Sequence, residues 1–141
     1  MKPLTWWLRI VGVLYLLEGG GLTLMALFAA DQFAATWASA PVGSLDDVAV
    51  RGIRVAGLPG VLTWVLLGVM MLIFSRVPAR ANLLVVTVAA WELLVWLPAD
   101  LVGIFSGFAT ARAISLITFH VVVGVSGLLL LRRSRTAAAQ A

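Results

Sequence analysis

Four apolar runs, each long enough to cross a bilayer, constrain this chain more than any other feature. They cover residues 4–30, 53–74, 82–105 and 112–131, and each ends in a short polar or basic segment. A span needs about 20 residues at a rise of 1.5 Å each. In hydrocarbon the backbone must satisfy its own hydrogen bonds, so an apolar run of that length is read as a helix. Charged residues make up 11% of the sequence, against roughly 25% in an average soluble domain. A water-soluble fold would have too little polar surface to cover itself. The expected architecture is all-α: an integral membrane four-helix bundle, up-down-up-down, because the connections are short. One domain is expected over residues 1–135, with residues 136–141 as a flexible tail.

The connecting segments carry the charge. Residues 31–52 form the longest polar stretch, with Asp31, Asp46 and Asp47. It reads as a loop with a short interfacial helix near residues 32–38, and Ser44 before Asp46 and Asp47 can open a further helix. Pro59 is expected in the first turns of the second span, as the source of a kink. Trp6, Trp7 and Trp37 read as interfacial anchors. A secretory signal peptide is the competing reading of the first run, since Ala38-Ser39-Ala40 resembles a cleavage site. The run is too long for that, and Glu18 interrupts it.

Orientation follows the basic residues. Lys2, Arg9, Arg76, Arg80, Arg132, Arg133 and Arg135 fall on the side of both termini, and Arg51, Arg54 and Arg112 on the other. Seven against three predicts cytoplasmic termini. With the cations at the ends of apolar runs, the net charge of +4 points to the lipid bilayer and not to nucleic acid. There is no cysteine, so thiolate chemistry and disulfides are excluded.

Three ionisable side chains lie inside the runs: Glu18, Glu92 and His120. Counting about 1.5 Å per residue places all three in the central third of a core about 30 Å thick. Such groups cost about 2.5–3.5 kcal/mol at the helix centre, so they face inward and find partners. Tyr15 shares a face with Glu18, and Trp96 with Glu92, by helical spacing. Glu18, Glu92, His120, Tyr15 and Trp96 are therefore the candidate ligand-binding residues. An acid and an imidazole in contact can transfer a proton, recognise a cationic or hydroxylated ligand, or act in acid–base catalysis. They can also merely join helices. The paired-histidine spacing that would specify a metal is missing, so no metal and no cofactor is expected. Nearer the outer surface, Arg54 and Asp100 are expected to form a structural ion pair. Gly124 and Gly127 can serve close packing within the chain or a homo-oligomer contact.

The opening Leu4-Thr5-Trp6-Trp7-Leu8-Arg9-Ile10-Val11-Gly12-Val13-Leu14-Tyr15 resembles the start of BphX-like bacterial membrane proteins. The closing Phe119-His120-Val121-Val122-Val123-Gly124-Val125-Ser126-Gly127-Leu128 is similar to theirs as well, as is the acid of Trp91-Glu92-Leu93. Such proteins resemble the wider DoxX-like group of small four-span proteins. The resemblance implies a bacterial inner-membrane location, four spans and hydrophobic substrates. The expected function is binding, with or without translocation, of a small hydrophobic or amphipathic molecule in a polar-floored cavity. The alternatives are an isomerase-like acid–base enzyme and an accessory subunit of a membrane partner complex. No catalytic residue is assigned.

Overall fold

The structure, a computed structural model, describes residues 2–38, 40–105 and 110–139, with side chains in the last stretch from 114 to 136. Five helices occupy these residues. They are α1 (Lys2–Phe28), α2 (Ala30–Ala38), α3 (Asp47–Phe74), α4 (Asn82–Phe105) and α5 (Thr110–Ala139). A single 3₁₀ turn, Pro78–Arg80, precedes α4. No strand occurs among the described residues. Helices α1, α3, α4 and α5 are long and apolar enough to span a bilayer. Their outer faces carry large apolar side chains, among them Leu17, Val55, Leu94 and Val102. So much exposed hydrocarbon is tolerable against lipid and not against water. The chain is an all-α, multi-pass membrane protein with four spans.

Helix ends follow capping chemistry more closely than hydropathy. Helix α3 starts six residues before its apolar run, because Asp46 Oδ1 accepts the Ala49 N–H at 2.7 Å. That is an N-cap, and Asp47 adds an acid at the positive helix end. Pro59 consequently sits inside α3 and not in its first turns. The Thr63 hydroxyl donates to the Pro59 carbonyl at 2.8 Å. Before α3, residues 41–44 form a turn in which the Ser44 N–H donates to the Pro41 carbonyl at 3.1 Å. Gly43 adopts φ 80°, a left-handed conformation that only glycine takes cheaply. At the other end α5 continues through Ala139, beyond the tail expected to fray from residue 136. Alanine has the highest helix propensity, so the Ala-rich stretch extends the helix.

The chain divides into two compact units, residues 13–69 and residues 1–12 with 70–141. In the first, Tyr15 on α1 packs against Trp64 on α3, ring centroids 6.5 Å apart. Gly19 lets the two backbones close. A Cβ there would come within 2.9 Å of both Trp64 Cβ and the Val61 carbonyl oxygen. Helix α2 lies on α3 through Phe33 and Trp37, which fill the space beside Gly57.

In the second unit α4 packs against α5, and Leu93 occupies the space beside Gly124. The first turns of α1 join them. Trp7 fills the space beside Gly127, and its Nε1–H donates to Ser126 Oγ at 2.9 Å. Gly124 and Gly127 thus serve packing within the chain. Trp7 is buried and bonded to α5, so it is not the interfacial anchor expected. Trp6 is exposed, with the Arg9 guanidinium 5.6 Å from its ring centre.

Candidate functional site

The site is built on an irregularity in α4. Residues Trp91–Trp96 form a π-helical turn, in which the Leu97 N–H reaches back five residues to the Glu92 carbonyl. Its consequence is geometric. Glu92 and Asp100 are eight residues apart, which in a regular helix is about 80° off alignment at 100° per residue. A π-turn absorbs one extra residue and takes back about one 100° step. The two acids then lie within about 20° of a common face, two turns apart.

His120 of α5 sits between them. Its Nδ1 is paired with Glu92 Oε2, and its Nε2 lies 3.0 Å from Asp100 Oδ2. Glu92 and His120 are fully buried, and the Asp100 side chain is 18% exposed. Trp96 stacks nearly parallel to the imidazole, at 6.3 Å between ring centres and 15° between planes. Phe119 meets the imidazole edge-on at 5.8 Å, and Trp91 closes on Trp96 in a T-shaped contact at 6.3 Å.

Proton count follows from this arrangement. With a neutral imidazole and both acids ionised the group carries a charge of −2, and two added protons bring it to zero. A carboxylate only accepts hydrogen bonds, and a neutral imidazole has a single N–H. Donation across both contacts, from both ring nitrogens or from one ring nitrogen and one acid, needs only the first of these added protons. Charge neutrality in hydrocarbon therefore asks for one proton more than the two contacts use. The two ring nitrogens point in opposite directions, so Glu92 and Asp100 cannot share one metal ion with His120. Among the described residues no group of three His, Asp or Glu side chains is arranged to hold a metal.

Of the residues singled out in the sequence, Glu92, His120 and Trp96 come together. Tyr15 and Glu18 belong to the other unit, Tyr15 buried beside Trp64 and Glu18 half-buried one turn further along α1. Asp100 is a member of the histidine site. Reading it only as a register-fixing partner of Arg54 leaves this contact out. The Arg112 side chain, expected near the same end, falls outside the described residues. The chain matches no known family model, no curated protein and no solved structure.

Proposed function

We propose that this is a bacterial inner-membrane protein, termini in the cytoplasm, that binds a small amphipathic molecule through the Glu92–His120–Asp100 cluster. The observation that carries this reading is an imidazole held between two carboxylates inside membrane-spanning helices. Such a cluster is neutral with two protons beyond the one on its neutral imidazole. Loss of one leaves a net charge of −1, which hydrocarbon does not tolerate unless a cation replaces the proton. Trp96 stacks on the imidazole, Phe119 meets it edge-on and Trp91 adjoins Trp96, so the cluster lies beside aromatic rings, whose faces attract organic cations. The ligand class is therefore a small apolar molecule with a cationic head, bound in exchange for a proton. Alternating access of such a site would move the two in opposite directions. The sequence resemblance to BphX-like and DoxX-like proteins is compatible with a hydrophobic ligand.

The test is a reconstituted chain titrated with ethidium, a planar aromatic cation. Binding is expected to release about one proton per dye and to tighten as pH rises, because protons compete with the dye. Glu92→Gln and Asp100→Asn are each expected to weaken binding at least about tenfold, or 1.4 kcal/mol. A second reading, that the cluster only joins α4 to α5, is favoured by the engagement of both ring nitrogens. It prevails if both variants lower the melting temperature and leave dye binding and proton release as they were.

A further inference from the structure

A second charged region, independent of the histidine site, lies at one end of the unit formed by residues 1–12 and 70–141. We infer that this end is a binding surface for anionic phospholipid headgroups. Seven cations converge there: Lys2 and Arg9 at the start of α1, Arg76 and Arg80 between α3 and α4, and Arg132, Arg133 and Arg135 near the end of α5. All seven are exposed. In a four-span chain these three segments face the same side of the membrane. Within the unit, Trp7 of α1 seats on Ser126 and Gly127 of α5, which brings the ends bearing Lys2 and Arg132 to a common level.

The unit contains only two acids, Glu92 and Asp100, and both are committed to His120 in the interior. Among the described residues of the unit no further acidic side chain is present to neutralise the seven cations. The described acids of the connecting segments, Asp31, Asp46 and Asp47, belong to the other unit. Trp6 stands exposed beside Arg9, an aromatic ring and a guanidinium together at headgroup depth. Basic clusters of four to eight residues at the cytoplasmic ends of spans attract anionic lipid, by about fivefold for each cation near the surface. The complementary partner is a phosphodiester headgroup whose acyl chains lie along the exposed apolar helix faces.

Native mass spectrometry of the full-length chain extracted from mixed bilayers tests this. Phosphatidylglycerol is expected to be retained at least about tenfold over phosphatidylcholine of the same acyl chains, with the preference falling as salt rises. Replacing Arg132, Arg133 and Arg135 together by Gln should remove most of the preference, and replacing them by Lys should keep it. Because the same cations direct insertion, orientation is checked with Ala79→Cys and an impermeant maleimide, in a chain that has no cysteine of its own. Equal retention of the two lipids by the wild type overturns the inference, as does a preference that survives the Gln variant. Displacement of phosphatidylglycerol by equimolar inorganic phosphate would make the surface a free-phosphate site and overturn it too. Wild-type retention and its salt dependence decide the matter even if the Gln variant fails to insert.

Discussion

Two glutamates fall near the middle of apolar runs in this sequence and have different surroundings. Glu92 on α4 is fully buried and paired with His120, inside a cluster that also holds Asp100 and two aromatic rings. Glu18 on α1 is half-buried, in a unit where the close contacts are made by Gly19, Val61 and Trp64. Depth alone would give them equal weight. The difference is the helix that carries them. Helix α4 interrupts its own regularity to bring a second acid to the same face, whereas α1 is regular and its glycine draws a backbone close. The irregularity of α4 is what sets Glu92 apart, and π-turns are frequent at functional sites.

The strongest way to break this contrast is to remove each acid in turn. Glu92→Ala leaves His120 and Asp100 buried without their partner, and breaking a buried pair costs about 3–5 kcal/mol. Glu18→Ala is expected to cost about 0.6 kcal/mol, the average for a polar contact between membrane helices. Thermal unfolding in one detergent reads both. Equal losses would mean that the two acids play equivalent structural parts, and the special standing of the histidine site would fall.

The π-turn gives a second test. Deleting Leu94, which faces outward on the π-turn, should let α4 run as a regular helix. Glu92 and Asp100 then become seven residues apart and stay within about 20° of one face. Inserting one alanine after Leu94 instead turns everything beyond it by about 100° and carries Asp100 away from His120. The insertion is expected to lower the melting temperature more than the deletion. If the deletion proves worse, the turn matters for a reason other than aligning the two acids.

These tests also mark where sequence reading succeeds and where it stops. The spans are legible because hydropathy is a sum over many residues, and the bounds of α4 fall where its apolar run begins and ends. The Glu92–His120 pairing is legible because an ionisable group in hydrocarbon must find a partner. Asp100 is not, since regular helical spacing turns it away from Glu92, and a π-turn leaves no trace in hydropathy. The helix start that Ser44, Asp46 and Asp47 allow proves to be the start of α3 itself, ahead of its apolar run. Asp46 caps the helix with one hydrogen bond, and that outweighs the polarity of the residues that follow. Trp7 is misread because an interfacial position and a buried contact on α5 look the same in one dimension.

Glycine substitutions sharpen the comparison at smaller scale. In the Glu18 unit, a Cβ on Gly19 meets the Val61 carbonyl and Trp64 Cβ at 2.9 Å, atoms fixed to the α3 backbone. In the His120 unit, a Cβ on Gly124 comes within 2.6 Å of Leu93 Cγ, part of a side chain that can be shortened. Overpacking costs about 1–3 kcal/mol. Gly19→Ala should fall in the upper part of that range, because α1 and α3 can accommodate it only by separating. Gly124→Ala should fall in the same range alone and recover in part when combined with Leu93→Ala, because the second change removes the obstructing atoms. Recovery measured as a double-mutant coupling in thermal unfolding would show that α4 and α5 meet through replaceable side chains, with the His120 cluster setting their register. Absence of coupling would mean that the α5 backbone at Gly124 is itself the constraint, as at Gly19, and the two units would then be packed by the same rule.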